Sequence, residues 1–201
     1  MFNYSLEKKL DKAFNLIKYF DKNKWEKTLV SFSGGKDSSL LIHLIFMVFK
    51  KIPFRVIFFD HGFHFEETLN FLRLFEKKYL FKSIIIKKSF NFCGKYIFKI
   101  RDEIENFRVK KIEKFILENN IKYLITGHKK TDSNYTFFLR RKMVKNISKI
   151  KIDIYFPLFD FTDGEILFLI RKLEIPFNHS YFNYKNSEGT FFSINNWRKI
   201  F

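Results

Sequence analysis

The sequence predicts an α/β fold: a parallel sheet of about five strands with helices on both faces. Three observations predict it. Short apolar runs rich in Ile, Val, Phe and Leu alternate with longer helix-period segments along almost the whole chain. That alternation is how a parallel sheet comes to be covered on both sides. The first run, 28–32, ends in Ser33-Gly34-Gly35 and passes straight into a helical pattern, so it reads as strand, glycine turn, helix. Finally, 201 residues that are 46% hydrophobic are enough for one domain with a real core.

The elements follow in order. Residues 5–20 read as an amphipathic helix, with Leu10, Phe14, Ile17 and Phe20 on one stripe. Glu7 and Asp11 argue against a signal or transit peptide, and no apolar run approaches a membrane span. The expected location is the cytoplasm, with no membrane partner. Residues 27–32 form the first strand and 37–49 the helix after the turn. Ile52-Pro53 turns the chain into a second strand over 55–59. A helix over 66–78 points Leu69, Leu72 and Phe75 inward, and 83–87 is the third strand. Residues 89–100 are irregular, and 101–119 form a long helix. The fourth strand, 122–126, is broken by Gly127. A helix is expected over 131–142, a basic loop over 146–151 and the fifth strand within 152–158. Thr162-Asp163-Gly164-Glu165 has the spacing of a capping box and opens a helix to Leu173. Ile175-Pro176 ends it.

The loop 33–39 carries the chemistry. A glycine turn before a helix aims backbone N–H groups at one point, and the helix dipole makes that point attractive to a phosphate. Gly34 and Gly35 lack a Cβ, so an anion can approach and φ can be positive. Ser33, Ser38 and Ser39 add hydroxyls, and Lys36 adds a cation. Asp37 is the odd member: beside a phosphate site, a carboxylate either caps amides or reaches the phosphates through Mg²⁺. A phosphate-bearing ligand is therefore expected, with Mg²⁺ as one way to reconcile Asp37 with it. The string is not G-x-x-x-x-G-K-[ST].

In an open parallel sheet the ligand lies beyond the carboxyl ends of the strands. Three such ends, Ser33-Gly34-Gly35, Asp60-His61-Gly62 and Thr126-Gly127-His128, should line one crevice. Asp60 is either a turn residue or a site residue that bonds ribose or adenine or contacts magnesium. His61 is either an acid–base group or a bonded turn residue. Lys129 and Lys130 could offset charge on pyrophosphate or an anionic acceptor, or form a solvated basic turn. Asp132 could cap the next helix. Arg140, Arg141 and Lys142 form a basic helix end with possible substrate contact.

The formal net charge is +17. It suits nucleic acid or an anionic substrate such as ATP. The chain also holds 30 Phe but only 7 Gly and 3 Pro, with Lys, Ile and Asn abundant. These are residues of AT-rich codons, and such a bias alone gives a basic protein. Cys93 is the only cysteine, which excludes an intrachain disulfide and a cysteine-ligated zinc or iron–sulfur site built by this chain alone.

The Ser33-Gly34-Gly35-Lys36-Asp37-Ser38 string after a strand resembles the pyrophosphate loop of the ATP pyrophosphatase (PP-loop) superfamily. That resemblance implies a Rossmann-like, adenine nucleotide alpha hydrolase-like fold and transfer of AMP with release of pyrophosphate. It divides the chain into an N-terminal helix, 1–26, and one ATP pyrophosphatase domain, 27–201, whose segment from about 160 lies on the substrate side. His43-Leu44, Pro53-Phe54, Asp60-x-Gly62, Phe65-x-Glu67, Ile125 to Ser133 and Pro157 to Thr162 resemble the small subunit of sulfate adenylyltransferase. Phe65-Glu66-Glu67-Thr68 equally resembles phosphoadenylyl-sulfate (PAPS) reductases. A reductase needs a nucleophilic cysteine near its carboxyl end. Thr190 stands where one would fall, and Cys93 lies elsewhere, so reduction is disfavoured. His128, the Asp60-His61-Gly62 turn, and Asn186, Asn195 and Arg198 resemble tRNA(Ile)-lysidine synthase, which adenylates a tRNA cytidine.

The expected catalytic residues are Lys36, Asp37, Lys129 and Lys130. Ser33, Gly34, Gly35, Lys36, Asp37, Ser38, Ser39, Asp60, Gly62 and Gly127 should bind ATP, with Asp37 touching Mg²⁺. His61, Asp132, Arg140 and Arg198 lie on the substrate side. The preferred acceptor is sulfate, with a larger GTPase partner implied by the resemblance. A tRNA acceptor, and a nucleotide-binding module without turnover, are the alternatives.

Overall fold

The computed structural model of the chain describes residues 4–60, 66–88, 97–132, 142–147 and 150–178. Its elements are α1 (Tyr4–Lys18), a short 3-10 helix (Lys22–Lys27), β1 (Thr28–Ser31), α2 (Lys36–Phe49), β2 (Arg55–Asp60), α3 (Glu66–Tyr79), β3 (Ser83–Lys87), α4 (Ile97–Glu118), β4 (Tyr123–Ile125), β5 (Lys142–Ile147), β6 (Ile150–Tyr155) and α5 (Asp163–Lys172). The sheet runs β3-β2-β1-β4-β6-β5. Five of these strands are parallel, as the alternation of elements predicts.

The sixth strand corrects the sequence reading. Residues 142–147 are extended, not the end of a helix, and β5 pairs antiparallel with β6 from Lys142↔Tyr155 to Ile147↔Ile150. Most of the expected basic loop over 146–151 is therefore strand. The rest of the expected helix over 131–142 falls on 133–141, outside the described residues, while Thr131 and Asp132 form a turn. The long helix starts earlier than expected, at Ile97.

The period-2 pattern of β1 sends its side chains to opposite faces. Val30 joins Val56, Phe58, Ile125 and Tyr155 in the larger core, with residues of α1, α2, α3 and α5. Leu29 faces the other way, with Ile57, Ile154 and Ile116 of α4. The sheet is thus a middle layer between one long helix and four others. Phe20, fully buried, meets the rings of Phe54 and Tyr155 edge-on at 5.7 and 4.9 Å. It fixes the end of α1 against the sheet. Among the described residues no helix is long and apolar enough to cross a membrane.

One polar pair sits between α2 and α3. His43 Nδ1 lies 2.9 Å from the Tyr79 hydroxyl. Burial, helped by the charge of Lys78, lowers the His43 imidazole to about 4, and burial raises the Tyr79 phenol to about 12. Unfolded, the imidazole takes its proton near pH 6.5. Between that pH and about 4 the unfolded chain binds the extra proton, so this contribution is complete above pH 6.5 and lost as pH falls through 4. With its half-exposed ring discounted for screening, it amounts to about 1–2 kcal/mol. Urea unfolding at pH 7.5 and 4.5 should show a loss of that size beyond the loss in His43→Gln. Equal losses in the two proteins would remove His43 from the account.

Candidate active site

The order β3-β2-β1-β4 means that the chain leaves β1 toward one side of the sheet and later returns to place β4 on the other. Between β1 and β4 the connections at the carboxyl edge run to opposite sides, and in an open parallel sheet that switch point is where a ligand is received. The loops that flank it are 32–35 and 126–132.

The first loop is built by its own side chains. Gly34 has φ +74, a left-handed conformation that favours glycine, and an added Cβ would make only ordinary van der Waals contact with Phe58, Phe71 and Thr68. The Ser38 hydroxyl accepts from the Ser33 amide at 3.2 Å, donates to the Gly35 carbonyl at 3.0 Å and lies 3.0 Å from the Ser33 hydroxyl. Gly35 N donates to Ser33 Oγ at 3.3 Å. These bonds set the turn. They leave the helix entry open: Gly35 is the N-cap and supplies no side-chain cap. The amides of Lys36, Asp37 and Ser38 are the first turn of α2 and have no acceptor within the helix. Such uncapped amides suit an anion. Ser39, fully buried, faces inward behind the loop.

The second loop presses on the first. A Cβ at Gly127 would stand 3.1 Å from the Asp37 carbonyl carbon and 3.2 Å from Ser38 N. Gly127 therefore admits the α2 backbone against the end of β4. Thr126 Oγ1 lies 2.7 Å from His128 Nδ1. Lys129 and Lys130 part ways: Lys130 is exposed, while Lys129 is 1% exposed. A basic turn facing solvent is thus half right at most. Asp132 accepts from the Lys129 amide at 2.8 Å, so it closes the turn that contains it.

Charges gather between the loops. Lys36 Nζ lies 3.0 Å from Asp37 Oδ2 and 2.9 Å from Asp163 Oδ1. Asp163 opens α5 beside its capping box, in which Thr162 and Glu165 bond each other's backbone. Burial resists its charge, but Lys36 and then Lys129 outweigh that, and the carboxyl is held below the usual range. Glu165 also pairs with Lys9 of α1 at 2.8 Å. Asp163 is a site residue that the sequence reading missed, because its position in a capping box already explained it. Asp60, at the end of β2, is 5% exposed, with Lys87 at 3.9 Å. Asn178, in the Ile175 to Asn178 segment, donates to Thr68 at 3.0 Å and is buried beside the Gly34 turn. The structure therefore brings Ser33 to Ser39, Gly127, Lys129, Asp132 and Asp163 together. His61, Gly62, Arg140 and Arg198 lie outside the described residues.

The residues do not form a cage for a resident metal. Both Asp37 carboxylate oxygens face ammonium groups, and no set of three His, Cys, Asp or Glu side chains among the described residues is arranged to hold a metal ion. Magnesium with few protein ligands is held largely by nucleotide phosphates.

Comparison with known proteins agrees with this fold. The model of the phosphoadenosine phosphosulfate reductase domain matches residues 27–194. The chloroplastic tRNA(Ile)-lysidine synthase of Gracilaria tenuistipitata var. liui is 26% identical over 186 residues, covering 79% of this chain and 54% of that protein. The chain spans about half the length, or less, of the curated relatives it matches. Among solved structures, FMN adenylyltransferase of Candida glabrata superposes with a TM-score of 0.66 at 17% identity, covering 88% of this chain and 58% of that one. The phosphoadenylyl-sulfate (PAPS) reductase of Candida auris, in a phosphate complex, gives 0.65 at 16%, covering 89% and 91%. At such identities the likeness speaks for the fold.

Gly127→Ala should push the first turn of α2 outward, destabilise the protein by about 1–3 kcal/mol and weaken ATP binding. Gly164→Ala is the control, since a Cβ there meets nothing within 4 Å. If melting and nucleotide titration give the two variants the same behaviour, the close approach at Gly127 is unimportant.

Proposed function

Because the chain belongs to the phosphoadenosine phosphosulfate reductase domain family, within the PP-loop superfamily, we propose that it cleaves ATP between the α and β phosphates and hands AMP to a tRNA base, as a tRNA(Ile)-lysidine synthase does. The observation that carries the ATP reading is the uncapped first turn of α2 at the sheet switch point, with Lys36 beside it. Pyrophosphate is a polyanion that leaves with added charge. Fixed amides and ammonium groups stabilise that charge without reorganising. Positioning of the acceptor against the α-phosphorus supplies the rest.

In this reading an oxygen of the cytosine base attacks the α-phosphorus, and the bond to the bridging oxygen of pyrophosphate breaks. The amine of lysine then attacks the activated ring carbon, loses a proton and expels AMP. Two features support tRNA as the acceptor. The net charge of +17 suits a phosphate backbone, and a curated relative bears that enzyme's name. Magnesium, when it accompanies ATP, would neutralise phosphate charge.

Sulfate is the second reading, favoured by the sulfonucleotide family whose model the chain matches. It asks no thiol of the protein.

Pyrophosphate release from ATP should require tRNA, should continue beyond one equivalent per tRNA-bound enzyme only when lysine is added, and should be indifferent to sulfate. Asp37→Ala, checked by melting to be folded, should lower release by about 100-fold or more. Release driven by sulfate alone transfers the assignment to the second reading. Unchanged release in Asp37→Ala defeats both.

A further inference from the structure

Lys129 carries a charge where a charge is costly. Its side chain is 2% exposed, and an ammonium removed from water is stable only when paired. Its Nζ lies 2.6 Å from Asp132 Oδ1, 3.0 Å from Asp37 Oδ1 and 3.4 Å from Asp163 Oδ1. An ammonium has three N–H donors and no acceptor. Here it faces three carboxylates, from the first turn of α2, the turn after β4 and the first turn of α5. Burial disfavours the charged form, but Asp37 and Asp132 outweigh it, and the ammonium holds its proton more tightly than a free lysine.

The three acids are not arranged to ligate a metal ion as they stand, but they converge on one point that needs a positive charge. In this chain the point is filled by a covalently attached cation. Without it, the three acids would repel one another, and Asp37, one residue into α2, would be the first to swing. Lys36 does not duplicate Lys129: it meets Asp37 and Asp163, and the ion pair to Asp132 is made by Lys129.

We propose that Lys129 is a positioning residue that serves as an internal cation: it gathers Asp37, Asp132 and Asp163 and so holds the mouth of the 33–39 loop in its binding shape without a resident metal. Its consequence for catalysis rests on the nucleotide reading above. The charge-holding role itself does not, and it is tested without ATP or tRNA.

The test is Lys129→Ala in the full chain, in nucleotide-free buffer, with Mn²⁺ as the probe. Removing the ammonium leaves three acids around an open space. In EDTA the variant should melt below wild type. Added Mn²⁺ should raise its melting temperature but not that of wild type, and the free-ion electron paramagnetic resonance signal should fall by one equivalent. Lys129→Met, which refills the space without charge, should melt low and stay low in Mn²⁺. If Lys129→Ala is unfolded in EDTA, it should refold on Mn²⁺ addition, read by circular dichroism. The double variant Lys129→Ala/Asp163→Asn keeps two of the three acids and should bind Mn²⁺ on the order of tenfold more weakly. The proposal is overturned if Lys129→Ala melts like wild type in EDTA, or if it takes up no Mn²⁺ and gains no stability from it. Its failure would leave the ATP-cleaving reading standing, and failure of that reading would leave these metal readouts unchanged.

Discussion

A helix cannot satisfy its own first amides, and here those amides are left open by design of the turn that precedes them. Gly35 as N-cap offers no oxygen to accept from them. The serines that could have done so are committed elsewhere: Ser38 bonds backward to Ser33 and Gly35. The rest of the site depends on that vacancy in the hydrogen-bonding scheme. Gly34 supplies the left-handed turn that aims the amides, and Gly127 lets β4 approach so closely that the α2 entry has a hard floor. A polyanion is the partner such a feature suits.

The electrostatics show how the vacancy is kept from closing on itself. Asp37, adjacent to the open amides, could fold back and cap them. Instead its two oxygens are engaged by Lys36 and by the buried Lys129. Each ammonium is in turn shared with Asp163. Two cations and three acids, drawn from three elements distant in sequence, hold one another at fixed places. Coupled charges of this kind are worth little singly on a surface, but they are restrictive when one member is buried. Removing Lys129 takes from Asp132 the ammonium that pairs it, while Asp37 and Asp163 keep Lys36.

Much of this was legible in the chain. Strand β3 falls where the Ile run predicts, and the glycine turn between β1 and α2 lies where the sequence places it. The capping box at Thr162 is formed by both of its bonds. The hairpin was not legible, because Lys142 to Ile147 mixes basic and apolar residues and follows Arg140-Arg141. A basic helix end is the simpler reading of such a stretch. Nor is the two-residue connection at 148–149 a recognisable turn dipeptide; it is Ser-Lys, without Gly or Asn. Lys129 could not be told from Lys130 by pattern. Which of two adjacent lysines is swallowed depends on where the acids of two other elements arrive, and that is a property of the assembled sheet. Asp163 had a sufficient local explanation, which hid its distant partner.

Glu165 is both half of a helix cap and the anchor of Lys9. Two residues before it, Asp163 grips the motif lysine. The first helix is therefore tied to the 33–39 loop through α5, an element more than a hundred residues away from both in sequence. The two ion pairs leave α5 from residues 163 and 165, so one short helix start serves both as the seat of α1 and as a wall of the 33–39 loop.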